Sequence, residues 1–234
     1  MKTALVLSGG GMFGAWQAGA WRALARTFQP DLVVGCSVGS LNGYAIAAGC
    51  TPDELCYWWS QPGVAGFRRL PEIIAGMMEK PLRREFALVV VDALRMKPRT
   101  IVGRDVTAAA ILASCAVPGV IAPQRIGDSW YVDGGLLNPL PVWAAAELGA
   151  TRIIALNVLP QMPSHVLAPV VKGFRAVFGH RPSLPVNVEV ITLLPEGPLG
   201  TLKNAVVWDE TCVKRWIDEG EQAVEQHFSI PRPS

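Results

Sequence analysis

A chain of 234 residues fits one sizeable domain, 1–234, because single hydrophobic cores stop growing only at roughly 250–300 residues. Half of the residues are hydrophobic and 17% are charged, which excludes a disordered chain, and a formal net charge of +2 gives no footprint for nucleic acid. Five cysteines (Cys36, Cys50, Cys56, Cys115 and Cys212) form an odd set without a CxxC pair, which argues against a disulfide framework and a thiolate zinc site; buried thiols in a reducing compartment are expected, with no cofactor or metal.

Thr3–Ser8 is a short apolar run ending in glycines, the pattern of a buried strand entering a tight loop. Met12 to about Arg26 has no proline and carries large residues at Trp16, Trp21 and Leu24, so a helix is expected there. Pro30-Asp31 punctuates, Leu32–Val34 is a second β-rich run, and Val38–Ala48 has a helical pattern ending at Gly49. This β-α-β-α start predicts a parallel sheet with helices covering its faces.

Thr3–Trp21 and Leu32–Pro52 are uncharged stretches long enough to raise membrane spans, but Gly and Ser clusters divide both. Lys2, the apolar stretch after it and Ala18-Gly19-Ala20 faintly outline a secretory leader, whose apolar run Ser8–Gly11 interrupts. A cytoplasmic location is therefore expected.

Between residues 52 and 104 the composition changes, with Trp58, Trp59 and Phe67, scattered prolines, and nine Lys and Arg against four Asp and Glu from Ser60 to Arg104. A helical, basic cap is expected, with one strand at Phe86–Asp92. Aromatic residues beside Arg68, Arg69, Lys80, Arg83, Arg84, Arg95, Lys97 and Arg99 suit reversible peripheral contact with an anionic membrane; a solvated helical face with its aromatics in the core is the competing reading. Further on, Val106–Ala116 is expected as a helix, Trp130–Asp133 as a strand, Pro141–Leu148 as a helix and Arg152–Val158 as a strand. Val188–Leu194 is the last strand expected and Asp209–Phe228 a terminal amphipathic helix.

Three motifs carry chemistry. Gly35-Cys36-Ser37-Val38-Gly39 places G-x-S-x-G between a strand and a helix, where small neighbours make room for a nucleophile on a sharp turn. Gly9-Gly10-Gly11-Met12-Phe13-Gly14 also links a strand to a helix, and its uncrowded N–H groups can approach an oxyanion. Gly9, Gly11 and Gly14 equally match the dinucleotide fingerprint of a Rossmann-type protein, but Asp31 precedes the second strand instead of ending it, and Ala15 stands where a P-loop needs Lys. Tyr131-Val132-Asp133-Gly134-Gly135 is an acid leaving a strand into two glycines. A serine hydroxyl needs a base, and His165, His180 and His227 all lie late, outside any motif-like setting.

Together these motifs resemble the patatin-like phospholipase family in kind and in order. Ala113-Ser114-Cys115-Ala116-Val117-Pro118-Gly119 and Asn138-Pro139-Leu140-Pro141 also look like family segments, and the resemblance covers roughly Ala4 to Val158. It implies a three-layer α/β sandwich with a central, mostly parallel sheet, and a serine acyl hydrolase of lipid-like esters working through a Ser-Asp dyad. Ser37 is then the nucleophile, Asp133 the base, and the N–H groups of Gly10, Gly11 and Met12 the oxyanion hole, with an acyl-enzyme hydrolysed by water. The sequence departs from the family at Phe13, where relatives commonly carry a basic residue; a phosphate contact from that position is thereby put in doubt. A Ser-Asp-His triad of the α/β-hydrolase kind, with Asp133 orienting a histidine, remains the alternative, as does a catalytically silent binding module.

Overall fold

The computed structural model describes residues 1–62, 69–160, 172–173, 176–178 and 183–230. Four strands, β1 (Thr3–Leu7), β2 (Leu32–Cys36), β7 (Arg152–Leu156) and β8 (Glu189–Leu193), run parallel in the order β2-β1-β7-β8. β3 (Glu85–Asp92) extends this parallel array beyond β2. Every residue of β2 is buried, as is all of β3 after Glu85, because helices cover both faces.

The alternation along the strands divides the core in two. Leu5, Leu7, Val33, Leu88 and Ile154 face one side, packed beneath α1 (Gly14–Leu24), α2 (Val38–Ala47) and α8 (Glu210–Phe228). Ala4, Val6, Val34, Val89 and Ala155 face the other, covered by Trp143, Ala144 and Ala145 of α6 (Val142–Glu147). The three-layer sandwich follows, and its parallel part sits where the sequence places it.

The departures lie on the β3 side of the sheet. Two antiparallel strands, β4 (Lys97–Val102) and β6 (Ser129–Asp133), pair with β3, and β6 forms a hairpin with the short β5 (Gln124–Ile126). The stretch expected as a helical cap is accordingly half helix and half sheet. It holds α3 (Pro52–Trp59) and α4 (Leu70–Met78), then β3 and β4, and β3 lies inside the sheet. The continuous apolar run Phe86–Val91 is what a strand buried on both faces requires. Its basic residues are dispersed: Arg83 and Arg84 precede the start of β3, whereas Arg95 lies in the turn after its end and Lys97 opens β4. Phe67 and Arg68 lie outside the described residues.

Close helix packing fixes the outer layer. A Cβ on Gly19 would lie 1.9 Å from the Ile217 carbonyl oxygen, and one on Gly220 would lie 2.1 Å from that of Trp16. α1 and α8 therefore cross almost backbone to backbone, and Arg22 and Arg26 pair with Glu221 across the crossing. Among the described residues no helix is long and apolar enough to cross a membrane.

Candidate active site

Ser37 sits between β2 and α2 with φ 55° and ψ −128°, a conformation that L-residues rarely adopt and that must be held by its surroundings. Gly39 is required for this turn, because a Cβ there would lie 2.3 Å from the Leu7 carbonyl oxygen. The Ser40 N–H closes the turn on the Ser37 carbonyl at 2.7 Å, and the Ser37 N–H donates to Ser114 Oγ at 3.0 Å.

The sheet register brings Asp133 to the same place. Residues Ala87–Asp92 of β3 pair with β4 on one edge. On the other edge β2 pairs as far as Cys36 with Val89, and β6 takes over with Asp133 at Val90. Two strands running in opposite directions thus end against each other, one delivering Ser37 and the other Asp133. The Asp133 N–H donates to the Ala116 carbonyl at 3.0 Å, and its Oδ1 accepts from the Gly135 N–H at 2.7 Å and the Cys36 thiol at 3.8 Å.

The glycine loop lies against Ser37: a Cβ on Gly9 would be 3.2 Å from the Ser37 Cβ. Residues Gly11–Phe13 form a 3-10 turn leading into α1, and among the described residues the N–H groups of Gly10, Gly11 and Met12 donate to no protein acceptor. These are the free donors that every helix start leaves. A buried polar chain supports the loop. Gln17 Nε2 donates to the Ser8 carbonyl at 2.8 Å, Asn42 Nδ2 to Gln17 Oε1 at 3.0 Å, and Trp59 Nε1 to Asn42 Oδ1 at 2.9 Å. Gln17 and Asn42 stand out in the sequence only as amides within apolar helices.

Ser37, Asp133 and Gly9–Met12 open into one cavity of about 380 Å³. Its walls are apolar, with Leu41 from α2, Trp58 and Trp59 from α3, Ile73 from α4, and Val117 and Val206 at its rim. Asp133 is the one charged side chain among the described residues of the lining. Cys115 also lines the cavity, but burial, reinforced by the Asp133 carboxylate, pushes its thiol well above its ordinary value, so it stays protonated and is a poor competitor to Ser37.

Phe13 does not line the cavity: it is buried, edge-on to Trp216 with ring centroids 5.1 Å apart. His227 lies at the end of α8 against Phe228, away from the cavity, while His165 and His180 lie outside the described residues. Asp31 holds Thr3 at the opposite end of the sheet, with Oδ2 accepting from Thr3 N–H and Oγ1 at 2.8 and 2.9 Å, so it takes no part near the glycine loop. A wider groove of about 780 Å³ lies at that opposite end, where Arg22 is engaged by Glu221 and Arg84 by Gln29.

The sharp Ser37 turn, the Asp133 carboxylate and the glycine loop thus open into one apolar cavity of an α/β sandwich. The sequence profile of the patatin-like phospholipases matches residues 5–88 and 104–146, and the chain belongs to that family. Uncharacterized NTE family proteins of Mycobacterium bovis and Mycobacterium tuberculosis are 34% identical over 178 residues, 67% of this chain and 49% of theirs. The chain thus spans about half the length of the curated relatives it matches. Among solved structures, VipD from Legionella pneumophila superposes with a TM-score of 0.64 at 11% identity, covering 97% of this chain and 66% of that one. ExoU in its complex with SpcU, from the type III secretion system of Pseudomonas aeruginosa, gives a TM-score of 0.51 at 15% identity over 97% of this chain and 51% of that one. These two likenesses concern the fold alone.

Proposed function

We propose that the protein is a serine acyl hydrolase that cleaves lipid-like carboxylic esters through a Ser37–Asp133 dyad and an acyl-enzyme. The observation that carries this reading is the meeting of β2 and β6 on one edge of β3, which puts both residues in one apolar cavity. Asp133 takes the hydroxyl proton as Ser37 Oγ attacks the acyl carbonyl carbon. The oxyanion is received by the N–H groups of Gly10, Gly11 and Met12, which need no reorganisation to meet it. Collapse breaks the ester bond, and the departing alkoxide leaves with the proton held by Asp133. Water then attacks the acyl-enzyme, giving its proton to Asp133; the Ser37 Oγ–acyl bond breaks, Asp133 returns that proton to Oγ, and the fatty acid departs.

The apolar walls suit an acyl chain. Membrane contact, expected of the basic 52–104 region, is better supported at the cavity mouth: Trp59 is buried and Trp58 lines the cavity, so these aromatics face inward, while Val120 and Val206 are half exposed at the rim. The test compares short-chain nitrophenyl esters with phospholipid vesicles, using Ser37→Ala as the control. Hydrolysis of both that disappears in the variant supports the reading; ester turnover that survives Ser37→Ala refutes it.

A further inference from the structure

The proposed chemistry assigns no role to Ser114, at the end of α5 (Ala108–Ser114), yet its side chain is the best-connected hydroxyl near the site. It is fully buried. Its proton goes to the Val89 carbonyl oxygen at 2.8 Å. Its oxygen accepts from the Ser37 N–H at 3.0 Å and lies 2.7 Å from Ser40 Oγ, which must be the donor because the Ser114 proton is already committed. One donor and two acceptor positions are all in use. Two residues on, the Ala116 carbonyl oxygen accepts the Asp133 N–H at 3.0 Å.

The three residues Ser114–Ala116 therefore bind the backbones of both members of the dyad, and the carbonyl that Ser114 engages belongs to Val89, the partner of Cys36 across the sheet. We propose that Ser114 is a positioning residue that holds the strained Ser37 turn in register with Asp133; this rests on the dyad reading above. With its own N–H spent on Ser114, Ser37 itself offers no backbone donor to the substrate.

The experiment compares Ser114→Ala and Ser114→Thr with the wild-type enzyme, measuring kcat and KM per active site and the labelling rate by a fluorophosphonate probe, alongside the folded fraction by circular dichroism. Misplacing a nucleophile by an ångström costs about 100-fold, so Ser114→Ala is expected to lose about that factor in kcat and labelling rate, with KM little changed and the folded fraction intact. Ser114→Thr keeps the hydroxyl and is expected to recover most of the loss. A residue that merely filled a hydrogen-bonding need would lower the folded fraction and leave kcat per folded site alone, which overturns the proposal, as does Thr being as damaged as Ala. If Ser114→Ala does not fold, Ser40→Ala decides: without the Ser40 donor the Ser114 hydroxyl loses its orientation, and kcat is expected to fall several-fold at unchanged KM. An unchanged kcat in Ser40→Ala then overturns the proposal. Wild-type protein that resists the probe would remove the dyad reading itself, and this proposal with it; wild-type labelling with unaffected Ser114→Ala removes only the positioning role.

Discussion

Cys36 and Asp133, 97 residues apart in the chain, pair with the consecutive residues Val89 and Val90 on the same edge of β3. The Ser37 turn starts one residue after Cys36, so the approach of Ser37 to Asp133 is set by a sheet register. A one-residue slip of β6 would turn the carboxylate to the opposite face.

Replacing Ser37 separates function from strain. Ser37→Ala is expected to lose at least about 1,000-fold in kcat. Ser37→Gly is expected to lose activity equally while stabilising the fold by about 1 kcal/mol, because φ 55° costs a serine backbone strain that glycine escapes. Urea denaturation of the three proteins checks the order.

Asp133→Asn removes the proposed base while keeping a similar shape. A loss of about 100- to 10,000-fold in kcat is expected, whereas a variant lacking His165, His180 and His227 together keeps its turnover. Steady-state kinetics on a soluble ester tests both; collapse in the histidine-free variant would restore the triad alternative.

Phe13 separates the family's usual loop from this one. Its ring is 1% exposed and packs edge-on against Trp216, so Phe13→Arg buries a charge without a carboxylate designed for it. A destabilisation of about 3 kcal/mol or more is expected, against about 1 kcal/mol for Phe13→Leu, read from denaturation midpoints. Phospholipid turnover does not rise in the Arg variant.

The mouth of the cavity gives a membrane prediction. Val207 is 46% exposed and follows the rim residue Val206 of α7 (Leu202–Val206), without lining the cavity itself. Val207→Asp is expected to lower the rate on vesicles several-fold while leaving the rate on short soluble esters unchanged. Equal effects on both substrates would place the loss inside the site instead.

Acid stability has a local source at the β3–β4 turn. The Arg95 N–H, with the Arg95 guanidinium and the Leu94 N–H, holds the Asp92 carboxyl below its ordinary value. A lowered folded-state value stabilises the protein above the unfolded value of about 3.9, and that contribution is lost as pH falls through the folded value. Asp92→Asn is therefore expected to be less stable than wild type at pH 7, with the gap closing below about pH 4 in urea titrations.

The parallel core was legible because Thr3–Leu7, Leu32–Cys36 and Arg152–Leu156 are compact apolar runs bounded by turn residues. β4 and β5 were not legible: Lys97–Val102 is mostly exposed and contains Pro98, and Gln124–Ile126 is three residues long, so neither shows the pattern of a half-buried strand. The sequence singled out Ser37, Asp133 and the glycine loop, which open into one cavity, but their juxtaposition depends on β6 continuing the β2 edge, a long-range pairing without a local signal. Ser114 lay within a segment already marked as family-like, where nothing distinguishes a buried hydroxyl acting on Ser37 from one capping its own helix.

The most direct test of the central claim is to treat the wild-type protein with a fluorophosphonate probe and locate the adduct by peptide mass spectrometry. One adduct is expected, on Ser37, that is lost in Ser37→Ala and forms far more slowly in Asp133→Asn. An adduct on a different residue, or labelling of Ser37 that proceeds equally well without Asp133, would contradict it.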